Sequence, residues 1–313
     1  MVWREDIPAY EQFCEAHAAA IPLFYQREWL SAAVTKGDCR FWVAEEKGET
    51  IALFAGHYRK KYGLSALIMP RLTPYLGIWT PLLHNDPLVR ELSTSLLAAL
   101  PGVFFTSLCL HPDIKDVMPW KWRGFHEQSR FTYLIRQQQV ASYRSGINAK
   151  LNNHIRFAAS RLKIVEQEGV EVLTSLVKES FAQQGLSIPY PESILLNILH
   201  FKGAAARVTV AVDDNENPQA ALLTVEDGRT VYNLVSGRKS DAVRGAMPLL
   251  LNHAIENALT RGKSFDFEGS SIQRIATFFE SFGGELTSFH HIYGSSYRLA
   301  DALIALTGKY KAG

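Results

Sequence analysis

Two acidic residues in the last fifth of the chain have the type and the spacing for proton transfer. Asp266 and Glu268 alternate with Phe265 and Phe267, which predicts a strand with one apolar and one acidic side. Gly269 follows and permits a sharp exit from that strand. A carboxylate beside an amine nucleophile can accept its proton during acyl transfer, so both acids are candidate catalytic residues. The alternative is that either carboxylate pairs with a nearby arginine.

The segment after Gly269 predicts a short amphipathic helix beside this acidic strand end. Ser270 and Ser271 can cap its first turn. Apolar residues at helical spacing follow: Ile272, Ile275, Phe278, Phe279 and Phe282. Gly283 and Gly284 end the pattern. The two carboxylates are therefore expected between the end of a strand and the N-terminus of a helix.

A second candidate site precedes a helix that is predicted to begin near Pro248. Arg244 and Gly245 lie in the turn between that helix and an alternating strand. Backbone N–H groups at a helix N-terminus bind anions, and Arg244 would add a charge-assisted hydrogen bond. Tyr232, on the preceding strand, is a candidate ligand-binding residue, although a half-buried core tyrosine is the simpler interpretation.

Residues 128–165 form a basic segment without a single aspartate or glutamate. A helix predicted over 147–162 carries Lys150 and Arg156 away from its apolar stripe. A cationic helix of this kind suits a polyphosphate or an RNA backbone. The alternative is a solvated helix whose acidic partners come from other parts of the fold.

The composition indicates a globular protein with room for two domains. The chain has 313 residues, 47% of them hydrophobic, and its net charge of +2 is too small to indicate nucleic-acid binding by itself. Three widely spaced cysteines give no zinc or disulfide pattern, and the adjacent His290 and His291 would face opposite sides of a strand. No metal site is therefore expected. Because neither a signal peptide nor a transmembrane segment is recognisable, we expect a cytoplasmic protein.

The order of the predicted elements is similar in the two halves of the chain. Each half runs through helices, then a meander of strands, then a helix and a strand, although no close sequence repeat accompanies this order. We therefore predict a mixed α/β (α+β) fold with two domains of one kind, over residues 1–138 and 139–290. Residues 291–313 are expected to pack back on the first domain. Tyr75 and Trp79 are candidate lining residues of an acceptor cleft.

The string FDFEGSSIQRIATFFESFGGELTSFHHI at 265–292 resembles the C-terminal signature of the FemAB-like branch of GNAT-fold transferases. Segments 72–81, 120–135 and 148–164 are similar to the same family. The resemblance implies two tandem GNAT-like domains, each a mostly antiparallel mixed sheet flanked by helices, with a cleft between them. It also implies that Lys150 and Arg156 face a phosphate-bearing substrate, and that the turn at Arg244 corresponds to the pyrophosphate loop.

The same resemblance implies transfer of an acyl or aminoacyl group to an amine or hydroxyl acceptor. Acyl-CoA or aminoacyl-tRNA would be the donor substrate, and a small molecule or a cell-envelope precursor would be the acceptor. Direct attack in a ternary complex is expected, because no cysteine or serine lies in a nucleophile motif.

One departure from the family pattern bears on the donor. The tRNA-using members resemble Phe-Lys-x-x-Phe-Gly in the last helix, whereas Phe279 occupies the lysine position here. No long helical-hairpin insertion is recognisable either. Both points speak against tRNA without excluding it. A non-catalytic tandem GNAT module that binds a nucleotide-linked or anionic ligand remains the alternative, and an RNA-binding protein is a third hypothesis.

Overall fold

The computed structural model describes residues 1–83, 85–201, 206–269 and 272–295. The chain forms two compact units. The first comprises Met1–Arg130 together with the chain from Ser288 onward, and the second comprises Phe131–Thr287. Within the described ranges, no helix combines the length and the hydrophobicity that a membrane span requires.

The first unit is a mostly antiparallel sheet with helices. Its strands are β1 (Val2–Glu5), β2 (Asp38–Glu46), β3 (Glu49–Lys61), β4 (Leu64–Ile68), β5 (Gly77–Trp79) and β6 (Phe105–Cys109). Its helices are α1 (Ile7–Ala16), α2 (Arg27–Ala33), α3 (Asp86–Ala99) and α4 (Met118–Trp122). Strands β1 to β4 pair in sequence order and antiparallel, β5 pairs with β3, and β6 lies parallel to β4.

Two longer strands carry the chain from one unit to the other. They are β7 (His126–Ile135) and, near the C-terminal end, β13 (Glu285–Gly294). Residues 291–294 of β13 pair antiparallel with β6, so this part of the C-terminal segment belongs to the sheet of the first unit. The rest of the predicted C-terminal segment, from residue 296, lies outside the described residues.

The second unit is also a mixed sheet with helices. Its helices are α5 (Tyr143–Gly146), α6 (Ala149–Ala159), α7 (Glu171–Ala182), α8 (Glu192–Leu199), α9 (Ala246–Thr260) and α10 (Gln273–Glu280). Its further strands are β8 (Lys163–Gln167), β9 (Arg207–Val212), β10 (Pro218–Glu226), β11 (Thr230–Arg238) and β12 (Ser264–Asp266). The strand order is β7-β12-β11-β10-β9-β8, and β11 and β12 are the parallel neighbours.

Each unit, taken by itself, has the same order of elements. Helices lead into a three-stranded antiparallel meander, and a helix then leads to a strand that lies parallel to the third strand of the meander. The predicted fold class is therefore confirmed. The sequence does not predict β4, β5, β8 and α4, because elements of three to five residues are too short to show a periodicity.

An aromatic cluster in the second unit fixes the strand that carries the candidate acids. Phe265 and Phe267 are fully buried. The ring of Phe267 stacks on Phe279 with centroids 4.6 Å apart and contacts Phe282 at 5.5 Å. The predicted apolar stripe of α10 therefore packs against the apolar side of this segment and fixes the backbone that carries Asp266 and Glu268.

Candidate functional site

The chain leaves β12 through a left-handed turn that contains one of the two acids. Strand β12 ends at Asp266, and Glu268 and Gly269 have φ angles of 58° and 74°. The sequence prediction that both acids share one side of a continuing strand is therefore wrong. Left-handed backbone costs a non-glycine residue roughly 1–2 kcal/mol, and such strain is concentrated at functional sites.

Asp266 holds this turn in place. Its side chain is buried, and its Oδ1 accepts hydrogen bonds from the Thr132 hydroxyl at 2.5 Å and from the Glu268 backbone N–H at 2.7 Å. The second bond ties the carboxylate to the left-handed residue two positions later. The contacts therefore suit a positioning residue for Glu268.

The Glu268 carboxyl group is buried and only partly satisfied by hydrogen bonds. Its Oε1 is buried and has no hydrogen-bond partner among the described residues. Burial, and to a smaller extent the nearby charge of Asp266, raise the pKa of the Glu268 carboxyl well above its usual range. Burial and the charge of Glu268 also raise the pKa of Tyr190 to about 12, so the two side chains are electrostatic neighbours.

Tyr190 is near the Glu268 carboxyl group and also lines a cavity. This cavity of about 440 Å³ lies beside α7 and α8, and Thr174, Lys178 and Leu186 line it as well. Thr174 Oγ1 is buried and also lacks a hydrogen-bond partner in the described part of the chain. A small molecule that fills this cavity would lie beside Tyr190 and Thr174.

Glu268→Gln is expected to stabilise the protein above about pH 5. Between the carboxyl's usual pKa of 4.5 and its raised folded value, the folded state holds a proton that the unfolded state has released. The free energy of unfolding of the wild type therefore falls by up to about 1.4 kcal/mol per pH unit in this window, whereas glutamine has no such term.

Urea unfolding followed by circular dichroism at several pH values measures this difference. Tryptophan fluorescence is unsuitable, because all six tryptophans lie within Met1–Arg130. Glu280→Gln, an exposed change on α10, is the control. A stability difference between Glu268→Gln and wild type that does not grow with pH would contradict the buried, protonated carboxyl.

The turn before α9 forms the second part of the site. Gly245 is the N-cap of α9 with φ of 88°, and a Cβ at this position would lie 2.2 Å from the carbonyl oxygen of His154. No side chain caps the helix, and the N–H groups of Arg244, Gly245 and Met247 have no protein acceptor among the described residues. In the first unit, by contrast, the Asn85 side chain caps α3. The start of α9 is thus open to an anion.

Three arginines converge on this helix start. Arg238, Arg244 and Arg274 line a cavity of about 420 Å³ whose remaining wall is largely apolar, with Val243, Met247, Ile275 and Phe278. None of the three guanidinium groups has a carboxylate within ion-pair distance in the described ranges. Like charges held together without counter-charges favour an anionic ligand, and Arg–phosphate contacts of this kind are often bidentate.

The sequence reasoning missed Arg274, although the sequence contains a signal for it. Arg274 lies in the first turn of α10, where the helix dipole disfavours a cation. A basic residue at this position therefore needs another reason, and the cavity supplies one. Two supports of the turn were also missed: Gln219 accepts from the Val243 N–H at 3.0 Å, and Glu179 accepts from the Ser240 N–H at 2.6 Å.

The basic segment divides into paired and unpaired residues. Arg136 and Arg144 pair with Glu285 and Glu256, as the alternative interpretation of a solvated segment predicts. Lys150 is exposed on α6. Burial lowers the pKa of His154, and the positive charges of Arg244 and, to a smaller extent, Lys150 lower it further. Lys150 therefore contributes positive charge near His154, whose carbonyl oxygen lies close to Gly245.

Arg156 is also exposed on α6, but it lies two positions beyond His154 and so on a different side of the helix. The same helix packs the buried residues Leu151, Ile155 and Ala158 inward, as predicted. Neither of the two basic residues that the resemblance implies for phosphate binding lines the arginine cavity, so their contact with a phosphate stays a prediction.

Strand β11 links the two parts of the site. It pairs with β12 from Thr230 to Tyr232, opposite Ser264 to Asp266, and from there to Arg238 that edge has no strand partner among the described residues. The seven residues from Tyr232 to Arg238 span about 20 Å. Their open edge offers backbone hydrogen-bonding groups to an extended ligand. Tyr232 itself is buried and donates its hydroxyl to Asp227 at 2.9 Å.

The candidate cleft residues of the first unit lie in its interior. Tyr75 is 2% exposed, and its ring contacts Phe289 at 4.9 Å and His111 at 5.9 Å. Trp79 is 3% exposed. Their predicted contact with an acceptor stays a prediction.

Comparisons with known proteins agree with this fold. Residues 141–271 match the model of the acetyltransferase (GNAT) domain family. No curated protein matches the chain at a significant level of sequence similarity. Among solved structures, FemX superposes with a TM-score of 0.72 and 13% identity, over 98% of this chain and 99% of that one.

Two further structures are similar. A tandem GNAT protein from the clavulanic acid biosynthesis pathway has a TM-score of 0.56 at 10% identity and covers 95% of this chain and 98% of its own. The C-terminal domain of a putative lysylphosphatidylglycerol synthetase from Agrobacterium fabrum has a TM-score of 0.54 at 15% identity, with 93% and 96% covered. Residues 141–271 thus match the acetyltransferase (GNAT) domain model, the chain has the tandem GNAT fold, and its predicted resemblance to the FemAB-like proteins is confirmed at the level of the fold.

Proposed function

We propose that the second unit transfers an acyl group from acyl-CoA to an amine or hydroxyl acceptor by direct attack. The observation that carries the proposal is the cavity in which Arg238, Arg244 and Arg274 surround the uncapped N-terminus of α9. Acyl-CoA has a diphosphate that this cavity would bind and a long arm with amide groups. The open edge of β11, about 20 Å long, matches an extended arm that bears amides.

Glu268 is the proton acceptor in this proposal. The acceptor nitrogen or oxygen attacks the thioester carbon, the new C–N or C–O bond forms, and the C–S bond breaks as the thiolate leaves. The proton released by the acceptor passes to the ionised Glu268 carboxylate, and the thiolate takes a proton from water. Because the pKa of Glu268 is raised, the fraction of the base form, and with it the rate, should increase with pH.

A donor of the tRNA type is less favoured by the same residues. Phe279, at the lysine position of the tRNA-using relatives, is 7% exposed and stacks on Phe267, so it belongs to the aromatic core. A cation at this position would have to be accommodated in that core. The arginine cavity, at about 420 Å³, has the size of a small-molecule subsite.

Calorimetric titration with acetyl-CoA tests the donor. We expect Arg244→Ala and Arg274→Ala each to weaken binding by roughly 10- to 100-fold, because each removes a charge-assisted hydrogen bond. Arg144→Ala is the matched control, since Arg144 is exposed and paired with Glu256 outside the cavity. It should change the affinity by less than about two-fold.

The remaining outcomes distinguish the alternatives. Binding of aminoacyl-tRNA in a gel shift, with no binding of acetyl-CoA, would move the donor to tRNA and keep the transferase. Binding of acetyl-CoA without turnover of any amine or hydroxyl acceptor would support the non-catalytic module. Binding of neither ligand would count against the whole proposal.

A further inference from the structure

One end of the first unit exposes large side chains that ordinarily avoid water. At the turn of the β3–β4 hairpin, Tyr62 is 91% exposed and Leu64 is 49% exposed. On α4, Trp122 is 63% exposed and Met118 is 42% exposed. Single exposed apolar residues are common on protein surfaces, but two aromatic tips flanked by aliphatic ones point to an interaction surface.

Basic residues accompany both aromatic tips. Arg59–Lys61 precede Tyr62 and are exposed, and the Lys61 ammonium lies 5.1 Å from the centroid of the tyrosine ring. Lys121 and Arg123 flank the tryptophan. Of these five cations, Lys121 alone has a carboxylate partner in the part of the chain that the structure describes, namely Glu127 at 3.7 Å. We call residues 59–64, 118 and 121–123 the basic aromatic end.

The two segments of the basic aromatic end lie at the same end of the sheet. The Phe104 N–H donates to the Ser65 carbonyl at 2.8 Å, and Ser65 is about 10 Å along the chain from Tyr62. The loop at 101–103 and Arg123 line one cavity of about 210 Å³, which Trp120 and Phe125 also line. Cations and aromatic tips thus occur together at this end of the sheet.

We propose that the basic aromatic end docks on the surface of a bilayer that contains anionic phospholipids. Each lysine or arginine near such a surface strengthens binding by roughly five-fold. Tyrosine and tryptophan prefer the headgroup region, and aliphatic side chains beside them reach the acyl boundary. A purely polyanionic partner, such as RNA, would use the cations but would gain nothing from Leu64 and Met118.

Co-sedimentation with phosphatidylcholine vesicles, prepared with and without phosphatidylglycerol, tests this inference. The protein should bind the anionic vesicles, and Lys60→Glu with Lys61→Glu should weaken binding by at least about 25-fold. The single variant Lys60→Glu is compared with Lys47→Glu, which reverses the same charge at the opposite end of β3, about 40 Å away. Lys47→Glu should have little effect.

The aromatic residues separate a membrane from other polyanions. Tyr62→Ser and Trp122→Ser, which keep the charge, should each weaken vesicle binding. Brominated lipids should quench the tryptophan fluorescence of the wild type more than that of Trp122→Ser. Absence of binding to anionic vesicles would overturn the proposal. Equal losses of vesicle binding in Lys47→Glu and Lys60→Glu would also overturn it. A third contradicting result would be serine variants that bind both vesicles and heparin as tightly as the wild type does. Circular dichroism confirms that each variant is folded. The inference does not depend on the proposed acyl transfer.

Discussion

Glu268→Gln is expected to lower the rate of acyl transfer by about 10²- to 10⁴-fold while donor affinity stays within about two-fold. Glutamine preserves the shape of the side chain but cannot accept a proton. The donor's phosphates would bind beside Arg238, which lies about 20 Å along β11 from Tyr232, the residue paired with Asp266, so their binding should not depend on the Glu268 carboxyl group. Steady-state kinetics with the acceptor that supports turnover would measure the loss.

The pH dependence of the rate distinguishes a proton acceptor from a structural residue. In the wild type, kcat should rise with pH until the raised pKa of Glu268 is reached, whereas the rate that remains in Glu268→Gln should lack this rise. Asp266→Asn should have a smaller effect, because Asp266 acts through the turn. A larger loss in Asp266→Asn than in Glu268→Gln, or an unchanged pH profile in Glu268→Gln, would reverse these roles.

The elements of the fold were predictable where their patterns are long. Helix α9 and the meander of β9, β10 and β11 have strong periodicities, so their positions and the similar order in the two halves follow from the sequence. The boundaries between the units were less accessible. They fall inside β7 and β13, and no change of composition or loop marks a boundary that lies within a strand.

The candidate site was predictable in part, and for a physical reason. Arg244 and Glu268 each precede a glycine, Gly245 at the start of a helix and Gly269 just after a strand, so local patterns reveal them. The packing of α10 brings Arg274 to the arginine cavity, and the packing of the segment before α8 brings Tyr190 close to Glu268. No local sequence pattern encodes either contact. The alternation of Asp266 and Glu268 was misleading, because the strand ends at Asp266 and Glu268 already lies in the left-handed turn.

Gly269→Ala is expected to destabilise the protein by about 3 kcal/mol or more. Gly269 has φ of 74°, and a Cβ there would lie 2.1 Å from the Phe131 carbonyl oxygen and 3.1 Å from the Thr132 Cα. These are backbone atoms of β7 and cannot rotate away, so the strand itself would have to shift. Such a shift would also move Thr132, which donates to Asp266, and activity should fall by more than stability alone explains.

Gly262→Ala separates the close approach from backbone strain in this prediction. Gly262 has a similar φ of 70°, but a Cβ there would meet no atom within 4 Å. Its substitution should therefore cost only the strain of left-handed backbone, about 1 kcal/mol. Urea unfolding of both variants, followed by circular dichroism, gives the comparison. Equal destabilisation would mean that β7 does not press against the turn, and the positioning of Glu268 by its neighbours would then need another cause.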